Sequence, residues 1–137
     1  MRKQQNHPKG QSLVETALII PLLLLLILTF VDLGRAIYYS SAIQNSVREG
    51  ARYASVHKLT GDVTEVKDLV KNYSVAVNIL DADIVVTPDT YVSGTTKEVT
   101  VHASYDFDPI TPFLEFMFGG SITLEAESTM LLAPVAK

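Results

Sequence analysis

The sequence predicts an α+β protein. A long N-terminal helix, with a transmembrane first half and an amphipathic second half, packs on a small head of one helix and a three-stranded antiparallel sheet. Three observations predict it. Sixteen consecutive residues between Glu15 and Asp32 carry no charge. Helical spacing of apolar positions then continues without a break to Ala54. The C-terminal half holds two stretches of strict apolar–polar alternation, the mark of half-buried strands.

The charge distribution narrows the function. Arg2, Lys3 and Lys9 are the only charges before Gly10, so that stretch carries +3. Of the 11 basic residues, the remaining 8 face 15 acidic ones, and the rest of the chain is −7. Such a body lacks the cationic surface that displaces counterions, so no nucleic-acid partner is expected. With no cysteine in the chain, disulfides and thiolate metal sites are excluded.

The apolar run from Ser12 to Val31 is about the shortest length that crosses a bilayer, and the span is placed at about residues 12–32. Basic residues before it and an acidic body behind it put the N-terminus in the cytoplasm. The chain is therefore expected in the cytoplasmic membrane, single-pass, with its C-terminal domain outside. A cleaved secretory signal would show a small-residue site just after the apolar block. Asp32 and Arg35 occupy that place instead. Ala36, Tyr39, Ile43, Val47 and Ala54, with Gly50 on the same side, extend the helical pattern, and Gln44, Arg48, Glu49 and Arg52 lie between them. One helix from about Gln11 to about His57 is expected, roughly 70 Å long. Pro21 removes one backbone hydrogen bond within it.

Glu15 is the anomaly of this segment, because an ionisable side chain in a membrane span is costly and usually functional. A local reading competes. Ser12-Leu13-Val14-Glu15 fits a capping box, in which Ser caps the helix and Glu bonds back to the cap.

In the body, Asp62-Val63-Thr64-Glu65 has the same capping pattern. Val63, Val66, Leu69, Val70, Tyr73 and Val77 follow at helical spacing, which predicts a second helix over 63–78. Asp81-Ala82-Asp83 breaks it. Ile84 to Thr87 is a short β-rich run ended by Pro88, and Ser93-Gly94 has turn chemistry. Val99, Val101, Ala103, Tyr105 and Phe107 alternate with Thr100, His102, Ser104 and Asp106. Thr111-Pro112 precedes a short helix over Phe113–Phe118, stopped by Gly119-Gly120. Ile122, Leu124, Ala126, Ser128 and Met130 make the last strand. One apolar sheet face needs a cover, and the second half of the long helix supplies it.

No catalytic spacing is present, and no enzyme activity or cofactor is expected. His7, His57 and His102 fall in three different elements, which argues against a metal site. Asp81, Asp83, Asp89, Asp106 and Asp108 sit beside strands and prolines and read as turn residues. Arg48, Glu49 and Arg52 are either a solvated helix face or a contact between subunits.

A basic leader ending in Gly10, with Glu15 and an apolar helix behind it, resembles a type IV prepilin-like signal. Gly-Gln-Ser-Leu-Val-Glu (10–15), the Pro21-Leu run, Asp32-Leu33-Gly34-Arg35-Ala36 and Arg48-Glu49-Gly50-Ala51-Arg52-Tyr53-Ala54 together resemble the TadE-like pseudopilins of tight-adherence pilus systems. The resemblance implies a pilin-like outline with a leader at 1–10, a helix at 11–57 and an extracytoplasmic head at 58–137. It implies cleavage between Gly10 and Gln11 by a prepilin peptidase, which makes Glu15 the fifth residue of the mature chain. Glu15 would then meet the free amine of a neighbouring subunit, either another copy or a major pilin, on a pilus assembly platform. The alternative is a single-pass, N-in membrane protein whose outer domain binds a partner or ligand, neither processed nor polymerising.

Overall fold

The computed structural model describes residues 9–57, 61–90 and 97–132. Its first element, α1, runs over Lys9–Val56, 48 residues that include Pro21. At 1.5 Å per residue it is about 72 Å long. The helix starts earlier than the sequence predicts, and this disposes of one expectation. Ser12 lies inside the helix, where its carbonyl accepts the Thr16 hydroxyl at 2.9 Å. The Ser12–Glu15 capping box is not formed.

α1 has two halves of different character. All side chains from residue 11 to residue 28 are exposed. From Asp32 onward one face is covered: Ile43, Ser46, Val47, Ala51 and Ala54 are fully or almost fully buried. Gly50 belongs to the same face because nothing larger fits there. A Cβ at Gly50 would stand 2.6 Å from Val70 Cγ2, well inside van der Waals contact.

α2 (Thr64–Tyr73) packs Val66 and Val70 on that face. It is shorter than the expected 63–78. Ser74 ends it, with its hydroxyl bonded to the carbonyls of Lys71 at 2.9 Å and Val77 at 3.2 Å. Ala76 then takes a left-handed φ of 67°. Val77 is still buried, as its spacing suggested, but from irregular chain and not from a helix turn. The expected capping box at Asp62 is also replaced. Asp62 Oδ1 accepts the Thr64 N–H at 2.9 Å, while Glu65 accepts the Tyr53 hydroxyl at 2.6 Å and ties α2 to α1.

Asp81–Asp83 form a single 3-10 turn that leads into β1 (Ile84–Thr87). β2 (Glu98–Phe107) and β3 (Ile122–Leu131) complete an antiparallel sheet in the order β1-β2-β3. Ile84 pairs with Ala103 and Thr87 with Thr100, while Glu98 pairs with Leu131 and Phe107 with Ile122. The expected turn at Ser93-Gly94 lies outside the described residues. β2 is the central strand, and its alternation is the one predicted: Val99, Val101, Ala103 and Phe107 are buried. β3 is an edge, so only Ala126 is fully covered, with Leu124 and Met130 half-buried against the core.

Between β2 and β3 the chain makes one turn of helix and more, α3 (Pro112–Phe118). Pro sits at its start, where its missing N–H costs nothing, and Gly119 ends it at φ 77°. The head is thus one sheet face covered by α1 and α2, with α3 beyond one end of the sheet.

Candidate functional site

The end of the apolar run is where the chain makes its most exacting contacts. Asp32 and Arg35 are three residues apart in a helix and so share a face. Arg35 Nη1 donates to Asp32 Oδ1 at 2.9 Å. The other carboxylate oxygen, Oδ2, accepts the backbone N–H of Thr111 at 2.7 Å and its hydroxyl at 2.6 Å. Both Asp32 and Thr111 are buried, at 0% and 1% exposure. The guanidinium of Arg35 also lies 5.1 Å from the centre of the Phe107 ring and 5.6 Å from that of Tyr39. Tyr39 in turn meets Phe107 edge-on at 5.7 Å and Tyr105 at 5.8 Å.

Every lone pair that matters on this carboxylate is answered, which is the condition for a buried charge to be tolerated. The cluster does two things. It neutralises an acid at the end of an apolar helix, and it pins the loop before α3 to that point. The sequence marks Asp32 as the end of the apolar run and as part of a family-like motif, but not as the partner of Thr111. The local signal, an Asp-x-x-Arg pair directly after an apolar run, points to the Asp32–Arg35 contact but not to Thr111, 79 residues on.

Glu15 is the counter-example. It stands on the exposed part of α1, and among the described residues no side chain is bonded to it. It lies 17 residues before Asp32, about 26 Å along the helix. Gly10 and Gln11 are in the first turn of α1 and exposed.

The third predicted group is divided by the structure. Arg52 Nε donates to Glu49 Oε2 at 3.0 Å, an exposed i,i+3 pair. Arg48 is exposed and stands outside it. Glu49 and Arg52 border a shallow groove with Tyr53, His57, Leu69 and Tyr73, in which His57 stacks on Tyr53 with ring centres 3.9 Å apart. Among the described residues no three acidic or histidine side chains converge as a metal site would require. Asp81 in particular is engaged, with its carboxylate 2.7 Å from Lys71 Nζ.

Residues 10–52 match the family model described as TadE-like protein. The similarity is confined to the N-terminal third of the chain. The matched stretch begins at Gly10 and takes in Glu15, Asp32, Arg35, Arg48, Glu49 and Arg52, so the TadE-like segment is α1 almost to its end. It is also the one helix among the described residues long and apolar enough to cross a membrane, and none of its most apolar window is buried. No curated protein and no solved structure matches the chain.

Proposed function

We propose that this chain is a pseudopilin or minor pilin of a tight-adherence or type IV-like pilus or secretion machine. The observation that carries the reading is the TadE-like match beginning at Gly10 and following a helix whose apolar half has nothing packed on it. An apolar helix of that length is not stable in water. It resides in lipid, N-terminus in the cytoplasm and head outside, until other subunits' helices take the place of lipid.

The chemistry of assembly follows from two charges. Cleavage after Gly10 by a prepilin peptidase gives Gln11 a new α-amine, and glycine in that first turn eases local unwinding. The amine enters the apolar layer beside the Glu15 carboxylate of a neighbour. An unpaired charge in lipid costs a few kcal/mol, and pairing across subunits relieves both. Asp32 is satisfied within its own chain and Glu15 is not, which favours Glu15 as the group that looks outward. Arg48 and the Glu49–Arg52 pair give the outer half of α1 a polar surface for the next subunit.

The mass of the mature N-terminus in the native host tests the reading. A chain starting at Gln11 is expected. An intact chain confined to the membrane and absent from assembled material would overturn it in favour of an unprocessed, non-polymerising single-pass anchor with a partner- or ligand-binding head.

A further inference from the structure

α3 is an unusual helix for a soluble head. Of its seven residues, only Leu114 is buried, at 3% exposure. Phe113, Phe116, Met117 and Phe118 are 46, 90, 55 and 54% exposed, and Ile110 just before them is 64% exposed. Five large apolar side chains in nine positions are therefore offered outward from a segment that gives the core only Leu114.

The level of this patch is fixed by the fold. β2 runs antiparallel to α1. At its outer part Val101 comes within 3.6 Å of where a Gly50 Cβ would be, and Phe107 at its end lies beneath Arg35, 5.1 Å away. The chain continues in the same direction to Thr111, which is bonded to Asp32 at 2.6 Å. β3 then starts from the same end, with Ile122 opposite Phe107. The excursion that contains α3 is thus the part of the head nearest the apolar run. Asp32 marks the point where that run stops.

We propose that Ile110 and α3 form a lipid-facing foot, with Phe113, Phe116, Met117 and Phe118 set into the outer interface of the bilayer that α1 crosses. This rests on the reading of α1 as a membrane span with the head outside. Short amphipathic elements bury their apolar side about 5–10 Å deep at the headgroup–acyl boundary. The Asp32–Thr111 clamp holds α3 at that depth, and the span supplies the tether, so the foot needs little affinity of its own. Lipid fits better than a second protein. A helix of seven residues is about 10 Å long, too small to supply the roughly 800 Å² per partner of a stable interface. The foot gives the head two attachments to the membrane and fixes its tilt. Extraction of the subunit into a filament then requires both to be released.

The chain has no tryptophan, so single reporters can be placed in the full-length protein. Phe116→Trp, Met117→Trp, Leu24→Trp in the span and Leu131→Trp at the opposite end of the sheet would be reconstituted in phosphatidylcholine vesicles with chains brominated near to or far from the headgroup. Tryptophan at 116 and 117 is expected to be blue-shifted and quenched more by shallow than by deep bromines. Tryptophan at 24 should be quenched most by deep bromines, and at 131 by neither. Quenching at 24 without quenching at 116 and 117 overturns the foot and leaves the span intact. No quenching at 24 overturns the membrane reading itself, and the foot with it. A blue shift at 116 that disappears on dilution with lipid and is insensitive to bromine would mean contact between copies, and also overturns the proposal.

Discussion

Asp32 and Thr111 are 79 residues apart in sequence, yet one carboxylate oxygen of Asp32 accepts both the N–H and the hydroxyl of Thr111. With Arg35 on the other oxygen, this is the joint between the apolar helix and the end of the head that carries α3. Removing one partner of a buried pair costs more than the pair contributes, because the survivor keeps its desolvation penalty. Asp32→Ala should destabilise the full-length protein in detergent micelles by about 3–5 kcal/mol. Thr111→Val keeps the backbone N–H and loses only the hydroxyl, so about 1.5–3 kcal/mol is expected. Denaturant unfolding of both variants checks the order. Equal stability of Asp32→Ala and the parent would show that the joint contributes nothing.

At Gly50 the backbone of α1 lies close against Val70 of α2. A methyl group there meets Val70 Cγ2 at 2.6 Å, so Gly50→Ala gains helix propensity but overpacks the core. The expected net effect is a loss of about 1–3 kcal/mol. Val70→Ala in the same chain should recover part of it by making room. Thermal unfolding of the two single variants and the double variant would reveal that coupling, and strict additivity would argue against the contact.

Lys71 joins Asp81 to Asp68, at 2.7 and 2.8 Å. Hydrogen bonding to this ammonium holds the Asp81 carboxyl below its usual range. Folding therefore disfavours protonation of Asp81, and the stability linked to it is complete above about pH 4 and lost as the pH falls further. The Lys71 ammonium is shifted up, mainly by Asp68 and then by Asp81, so its share is lost only in strong alkali. Asp81→Asn should flatten the acid side of a melting-temperature profile relative to the parent. An unchanged profile would mean that other carboxylates carry the acid sensitivity.

Much of this fold was legible in the sequence because it rests on periodicity. The alternation of Val99 to Phe107 became the buried face of the central strand, and the Thr111-Pro112 start and Gly119-Gly120 stop bounded α3. What periodicity cannot report is where a side chain chooses another partner. Val77 kept its burial, but Ser74 bonded its hydroxyl to nearby carbonyls and the helix ended. Glu65 fitted a cap and went to Tyr53 instead. The Asp32–Thr111 joint was invisible for a different reason. Nothing local in either residue specifies a partner across the whole head. Glu15 was legible because a charge stands out in an apolar run, and the position of Ser12 inside α1 leaves the cap reading without support.

Processing and assembly should separate at Gly10. Gly10→Ala, or a bulkier residue, is expected to leave the basic leader attached and hold the subunit in the membrane. Mass measurement of the membrane pool and of sheared surface material checks this. Normal assembly of an unprocessed variant would remove the basis for a prepilin-like route.

The substitution Glu15→Gln goes to the centre of the account, because it removes the charge and keeps shape and helix propensity. The measurement is made in one culture: the mass of the membrane-bound chain, and the amount of that chain in pili or secreted material. Cleavage after Gly10 should persist, the chain starting at Gln11 should accumulate in the membrane, and incorporation should fall sharply. Normal cleavage together with undiminished incorporation of the Gln variant would contradict a role for the Glu15 carboxylate in subunit assembly.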